Sequence, residues 1–490
     1  MSGDAGADVL VIGGGPSGAW SALAAARAGA RVILVDKQYC GGSGPSAKGP
    51  VALWDIPAGP GREEAVLRSQ ARGGGLADPE WLDRVAGETH RRIPHLLPWG
   101  HRQPAAAGES STRVWLHGRR YLTALRAALV RAGVRIFDHH PALYLLRDTD
   151  GVVSGAGGVQ TRNGFRTWSV RAGAVVLASG GCAFLSGVSG TDVNTGEGLL
   201  MAVEAGGELS GMEFSGAYRL ATVSGRRDVP AHGLVDAAGS GFGDDEDRAG
   251  SAALAALAEG QPVYAQAGSM DIGGETMVVA RERQRVRPVL EGTVRGSGGL
   301  NLTGFDCATT VPGLHAAGDA ASREATTGAV GSADGPGGGW AIASGLWAGA
   351  GAARFARGRG GIGRTRPVSG AGLNPRSGID PRAVVGLVQE HTLPLRRSYY
   401  RCAGSLRDSI AELDAIWPVT GCDLGGVGAD LVRARQAAAL LVVARWTKYS
   451  ALARTETRGL HRRTDHPGTA QDWCRRLQTG GVGQIWVRAV

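Results

Sequence analysis

Residues 8–37 read DVLVIGGGPSGAWSALAAARAGARVILVDK, and this stretch decides the fold. Val9 to Ile12 form an apolar run that reads as a buried strand. Gly13-Gly14-Gly15-Pro16-Ser17-Gly18 follows at once and fits G-x-G-x-x-G. Alanine and leucine at helical spacing then run to Gly29, a C-terminal stop. A second apolar strand, Val32 to Val35, ends at Asp36. Strand, glycine turn, helix and a second strand closed by an acid make the dinucleotide-binding βαβ unit. Gly13 permits the tight turn, Gly15 lets the backbone approach a pyrophosphate, and Gly18 lets the helix pack close to the strand. Pro16 and Ser17 open the helix, whose N-terminus offers N–H groups and positive dipole charge to phosphates. Asp36 is placed to accept hydrogen bonds from the adenosine ribose, with Lys37 beside it. In a chain of 81 glycines the glycine pattern alone says little, so the complete unit with its acid carries the reading.

At 490 residues more than one domain is expected. Hydrophobic residues make up 43% and charged residues 20%, which excludes a disordered chain. The formal charge is +9, yet the arginines are scattered and only Lys37, Lys48 and Lys448 are lysines. A solvated basic surface is the expectation, and no nucleic acid is expected as a partner. The six cysteines are far apart and form no C-x-x-C pair, so no metal or iron–sulfur site is expected within the chain. Free thiols and the lack of a basic-then-apolar N-terminus point to the cytoplasm. Ala437 to Ala444 is too short an apolar run to span a bilayer.

Residues 39–61 are a Gly/Pro/Ser-rich loop, and 62–98 read as two helical pieces split at Asp78-Pro79. Tyr121 to Ala132 is an amphipathic helix followed by a strand at Val134 to Asp138. Leu143–Arg147, Gly151–Gln160 and Gly164–Ala172 suggest a small antiparallel sheet. Ala174 to Gly181 is strand-then-glycine again, a return to the main sheet. Residues 191–206 hold a helix behind a cap-rich loop, and 215–300 change character enough to be an inserted lobe. Val311 to Ala320 returns to the main domain, and a glycine-dense loop at 331–345 opens a helix. Residues 357–380 read as a linker, and Pro381 to about Leu477 as mostly helical.

Gly313-Leu314-His315-Ala316-Ala317-Gly318-Asp319-Ala320 is the second signature, small residues and Gly-Asp before a turn. Together with the first it looks like flavoproteins that bind FAD, with Gly318 and Asp319 on the ribityl chain. Ala178-Ser179-Gly180-Gly181 resembles the Ala-Thr-Gly-Gly turn of two-domain flavoproteins. The run TDVNTGEG at 191–198, then Met201-Ala202, Ala205-Gly206-Gly207 and Met212-Glu213-Phe214, resembles the succinate dehydrogenase/fumarate reductase flavoprotein family. ARTETRGLHRRTDHP at 453–467, with Trp473 after it, is similar to that family's A-R-x-E-S-R-G-A-H-x-R-x-D-x-P. L-aspartate oxidase and adenylylsulfate reductase flavoprotein subunits belong to the same group. The resemblance implies an α/β fold: a Rossmann-like two-dinucleotide-binding FAD domain (1–214 and 301–356), an inserted α+β capping domain (215–300), a linker (357–380) and a C-terminal helical domain (381–490). It implies FAD contacts at Ser43, Ala47, Lys48, Gly49, Ala178, Ser179, Gly180 and Asp192.

The departures bear on chemistry. Where the dicarboxylate enzymes carry Q-F-H-P-T, this chain has Ser215-Gly216-Ala217-Tyr218-Arg219, with Tyr218 at the substrate histidine. Their R-D-V-V-A-R, whose first arginine donates a proton, meets Thr276 to Arg281, with threonine there. Their H-G-A-N-R meets Glu324 to Gly328 without an arginine, and no histidine precedes Gly298-Gly299-Leu300. Succinate and fumarate are therefore not the expected substrates. The family's covalent flavin histidine falls near Ser43, so FAD is expected to be held non-covalently. Tyr218, Arg281 and Glu324 are the proton-transfer candidates. His461, Arg458 and Arg463 are expected to brace the helical domain against the FAD domain. The expected activity is an FAD-dependent oxidoreductase moving hydride to or from a specialised small molecule. Family members often dock an iron–sulfur subunit, so an electron-transfer subunit working with a ferredoxin-like partner is an alternative. An FAD-dependent tRNA-modifying protein and a protein with purely structural FAD are others.

Overall fold

The computed structural model describes residues 4–490 except 104–111, 163, 224–228, 230–232, 244–245, 267, 273–274, 281 and 333–336. Asp4–Ile12 and Val32–Val35 pair in parallel around the helix Pro16–Arg27, completing the βαβ unit. They belong to an eight-stranded sheet. Its order is Thr365–Pro367, Ala142–Asp148, Val153–Val159, Thr167–Leu177, Asp4–Ile12, Val32–Val35, Arg135–Phe137, with Leu314–Ala316 paired off this path. Apolar side chains fill both faces, since Leu10, Ile12, Val175 and Leu177 enter one core while Val9, Val11, Ala174 and Val176 enter another.

Thr167–Leu177 corrects the expectation of a separate antiparallel sheet. It is one eleven-residue strand whose first half pairs antiparallel with Val153–Val159. Its second half pairs in parallel with Leu314–Ala316, and Asp4–Ile12 runs along its other edge. Gly173, which falls between the runs 164–172 and 174–181 read separately in the sequence, lets the helix Gly337–Gly358 approach. A Cβ there would lie 2.8 Å from Ala356 Cβ and 3.0 Å from Asp8 O. That helix crosses Pro16–Arg27 equally closely, with a Cβ at Gly349 falling 2.0 Å from Ser21 O.

The stretch read as a linker also carries structure, because Thr365–Pro367 pairs with Asp148, Arg147 and Leu146 at the sheet edge. A three-stranded sheet of Val51–Asp55, Thr112–Leu116 and Gly100–Gln103 lies apart from the main one. The two early helices are Pro60–Arg72 and Pro79–Leu96, the second capped by Asp78, which accepts from Glu80 N and Trp81 N.

The second lobe has Tyr218–Thr222, Gln284–Leu290, Tyr264–Ala265 and Leu234–Val235 in one sheet, with the helix Glu246–Ala258 beside it. Its core of Leu220, Leu234, Leu254, Val263 and Val286 includes Leu395 and Tyr399, so it leans on the C-terminal region. There the helices Pro381–Thr392, Ala403–Asp423 and Ala429–Ala453 pack together. Helix ends at Ala453, earlier than expected; residues 454–476 are turns tied by arginines. The hairpin Leu477–Gly480 and Trp486–Ala489 then pairs with Leu209–Ser210, which pairs with Gly299–Leu300. No helix among the described residues is long and apolar enough to cross a membrane.

Candidate active site

The glycine turn works by exclusion of side chains. Gly13 has φ 110°, where a side chain is strained, and a Cβ there would meet Ala178 O at 2.3 Å. A Cβ on Gly18 would lie 1.8 Å from Gly13 O, so the helix reaches the turn only because Gly18 has none. Gly15 faces open space, with no atom within 4 Å of its missing Cβ. No side chain caps the helix at Gly15, so its first N–H groups stay available to a phosphate. Asp36 is buried, accepting from Gly14 N and Gln38 N at 2.6 Å each. Its first task is therefore to pin the glycine turn, from where it also lines the ligand cavity. Lys37 Nζ reaches Thr195 Oγ1 at 2.7 Å and Glu197 Oε1 at 2.8 Å, tying the second strand to the 191–198 loop.

A cavity of about 1830 Å³ opens along this turn. Gly13, Gly15, Pro16, Ser17, Asp36, Lys37, Ser43, Ala47, Lys48 and Gly49 line it. So do Ala178, Ser179, Gly180, Asp192, Gly318 and Asp319, whereas Gly18 lies behind the wall. Ser179 Oγ and Asn194 Oδ1, both in residues of the wall, are buried without a hydrogen-bond partner among the described residues. Asp319 pairs with Arg323 Nη1, and Arg323 Nη2 donates to Thr293 O at 3.1 Å and Val294 O at 2.8 Å. The buried Arg323 thus fixes the carboxylate at the wall. An open glycine cradle, uncapped helix N–H groups, orphaned hydroxyl and amide groups and a fixed carboxylate fit the phosphates and polyol of FAD.

Beyond Asp319 the cavity is lined by Tyr218, Arg219, Glu291, Arg295, Tyr399, Leu460 and Arg462. Tyr218 reaches it, but its hydroxyl donates to Thr392 O at 3.2 Å or Leu393 O at 3.0 Å, and burial raises its pKa. Glu324 does not line the cavity. It is buried with Oε2 accepting from Ser210 Oγ at 2.5 Å, and burial and the nearby Glu213 push it to about 7. Arg281 lies outside the described residues. Arg219 Nε and Arg295 Nε sit 3.1 and 3.4 Å from the two oxygens of Glu291. Sequence reasoning missed Glu291, Arg295 and Arg462. The available signal was Glu291 and Arg295 just ahead of Gly298-Gly299-Leu300.

The C-terminal motif forms a buried brace. Arg454 meets Glu213 at 2.8 Å and Glu456 at 2.9 Å, and Arg458 meets Glu456 at 2.7 Å and donates to Gly74 O. His461 accepts from Arg401 Nη1 at 2.9 Å through Nδ1 and donates to Arg454 O at 3.0 Å through Nε2. Burial and the Arg401 charge keep its pKa well below the ordinary value, consistent with this neutral tautomer. Among the described residues no group of three or more His, Cys, Asp or Glu gathers as a metal site would require.

Comparison with known proteins agrees with this geometry. Residues 8–242 match the FAD binding domain family, and residues 422–479 match the fumarate reductase flavoprotein C-terminal family. L-aspartate oxidase of Mycobacterium leprae is 28% identical over 536 residues, covering 96% of this chain and 94% of that one. L-aspartate oxidase of Streptomyces coelicolor is 31% identical over 229 residues, 42% of this chain and 39% of that one. A quinol fumarate reductase chain of E. coli shares the fold with a TM-score of 0.79 at 21% identity, over 99% of this chain and 96% of that one. Adenylylsulfate reductase of Archaeoglobus fulgidus does so with 0.78 at 18%, over 100% and 96%. This chain is an FAD-dependent oxidoreductase and belongs to the succinate dehydrogenase/fumarate reductase flavoprotein family.

Proposed function

We propose that this protein oxidises or reduces a specialised small molecule, other than succinate or fumarate, by hydride transfer to or from non-covalently bound FAD. The observation that carries the reading is one cavity running from the glycine turn to a pocket of arginines beneath the second lobe. FAD supplies a two-electron hydride acceptor or donor. Gly13 to Ser17 receive its pyrophosphate, Asp36 its ribose, and Asp319, held by Arg323, its ribityl hydroxyls. Ser179 and Asn194 offer it their unpaired polar atoms. Ser43, in the place where a covalent histidine would stand, leaves the flavin unattached. Arg219, Glu291, Arg295 and Arg462 then orient the substrate, and Tyr399 and Leu460 keep water from it.

The test is anaerobic mixing of the purified yellow protein with a panel of metabolites. One of them bleaches the flavin rapidly, while succinate and fumarate leave its redox state unchanged. Protein that carries no flavin and cannot be reconstituted with FAD would overturn the reading.

A second reading rests on the cavity rim, where Arg113, Arg119 and Arg120 are exposed. Such a rim suits an acidic, ferredoxin-like electron partner, and salt-sensitive co-purification of an iron–sulfur protein would support it.

A further inference from the structure

The small sheet of Val51–Asp55, Thr112–Leu116 and Gly100–Gln103 has two unlike faces, because side chains alternate along each strand. Val51, Leu53, Val114 and Leu116 enter the apolar core. On the other face the register sets Ala52 and His101 on either side of Trp115 in one row. Trp54 and Gln103 flank Arg113 in the next row. All six line the cavity. Trp54 and Trp115 thus stand diagonally across two paired strands, close enough for one ring system to cover both. Of the chain's tryptophans, these two are the ones in the cavity wall among the described residues. Both are half-buried, and neither meets another aromatic ring among the described residues.

The face is held in shape. Trp115 Nε1 donates to Gln103 Oε1 at 2.7 Å, which fixes one indole. The Arg113 guanidinium lies 5.5 Å from the Trp54 ring centroid. On the buried side Asp55 of the first strand pairs with Arg102 of the third, across the middle strand, and meets His90 Nδ1 at 2.6 Å. Indoles fixed in this way lose little freedom when a ligand covers them. The sheet also adjoins the 43–49 loop. The helix Gly118–Arg131, which follows the middle strand, starts so close that a Cβ on Gly118 would lie 1.9 Å from Ser46 O and 2.3 Å from Gly49 O. The cavity of about 1830 Å³ exceeds the roughly 300–1,000 Å³ of a single ligand site, which leaves room for a second molecule beside FAD. An aliphatic tail here would set hydrocarbon against Arg113, Gln103 and His101. A ring with a polar edge suits both the indoles and the polar groups between them.

We propose that this face is an aromatic-binding wall: the molecule oxidised or reduced carries a planar aromatic or heteroaromatic ring that lies on Trp54 and Trp115, its polar edge toward Arg113 and Gln103. This rests on the FAD-oxidoreductase reading, which puts the flavin end at the adjoining 43–49 loop.

The experiment titrates the flavin-bound protein with indole and quinoline, and with cyclohexylmethanol as an uncharged ring without π electrons. Calorimetry reads the affinity. The protein carries 5-fluorotryptophan, so that fluorine NMR reads each indole separately; Trp54→Phe and Trp115→Phe assign the two signals. Indole and quinoline are expected to bind about tenfold more tightly than cyclohexylmethanol and to shift those two signals more than the rest. Trp54→Leu and Trp115→Leu are each expected to weaken indole by about 2- to 12-fold, the range for one aromatic pair, while the phenylalanine variants stay within about twofold of the parent. The metabolite that bleaches the flavin is expected to be aromatic, with a half-saturating concentration raised to the same extent in the leucine variants. Should a leucine variant fail to fold, the fluorine shifts of the parent decide. Equal affinity for the aromatic and saturated rings, unmoved Trp54 and Trp115 signals, or an aliphatic substrate indifferent to both leucine variants overturns the wall. Flavin content is measured on every preparation. Release of FAD by indole, or leucine variants that fold without flavin, would assign the face to the cofactor and also overturn it. Parent protein that takes up no flavin refutes the cofactor reading, and calorimetry and the fluorine shifts still report on the face.

Discussion

Replacing Glu324 with glutamine is expected to stabilise the protein above neutral pH. Glu324 is 1% exposed, and its Oε1 has no hydrogen-bond partner among the described residues. Its other oxygen accepts from Ser210 at 2.5 Å. The neighbouring Glu213 is also buried, which raises its pKa too, but Arg454 at 2.8 Å favours its charged form, whereas Glu324 has no cation within ion-pair distance among the described residues. Burial, then the Glu213 charge, lifts Glu324 from 4.5 to about 7. The folded protein therefore keeps a proton that the unfolded chain releases. The stabilisation this brings is complete below pH 4.5 and is lost as pH rises through about 7. At about 1.36 kcal/mol per tenfold, the gap is worth ~3 kcal/mol. Glutamine keeps an oxygen for the Ser210 hydroxyl and cannot ionise. Unfolding of the flavin-saturated parent and Glu324→Gln, followed from about pH 5 to pH 9, should give curves that diverge by up to ~3 kcal/mol in favour of the variant. Parallel curves, or a variant less stable at every pH, would show that the carboxylate is ionised throughout and refute the reasoning.

Arg454→Met leaves the buried Glu213 without its ion-pair partner and Glu456 with Arg458 alone, and a loss of about 3–5 kcal/mol in denaturant unfolding is expected. Gly18→Val drives a side chain into Gly13 O, and the flavin-to-protein ratio of purified material should collapse. Asp319→Ala removes the carboxylate that Arg323 holds at the wall; FAD affinity read by fluorescence quenching should fall by about tenfold or more. Acid precipitation should leave the flavin in the supernatant, since no histidine stands at Ser43; flavin that stays with the pellet contradicts a non-covalent site.

The βαβ unit was legible because its whole logic is local: turn, helix start and acid lie within 30 consecutive residues, 8–37. The Gly-Asp pair at 318–319 was legible for the same reason. What escaped depends on contacts between distant segments. Gly173 falls between two runs read as separate strands, yet its missing side chain makes room for Ala356 of a helix far along the chain. Thr365–Pro367 looks like linker because an edge strand needs only three residues once a partner edge awaits it. The proton-transfer candidates came from alignment to motif positions, which fixes where a residue lies along the chain and not where its side chain points. Tyr218 reaches the cavity and gives its hydroxyl to the end of a helix; Glu324 faces inward to Ser210. Arg219, Arg295 and Arg462 come from three separated segments, and no spacing rule links them.

The pairing of Leu209 with Thr479 sets a condition on biosynthesis. The ribosome must deliver the chain as far as residue 479 before the strand at 209–210 finds both neighbours. Until then Leu209, wholly shielded in the finished protein, is left with an unfilled edge for proteases and chaperones to meet. Early truncation should therefore yield degraded or chaperone-held product rather than a smaller yellow protein, and low growth temperature should raise yield by slowing aggregation of the waiting intermediate.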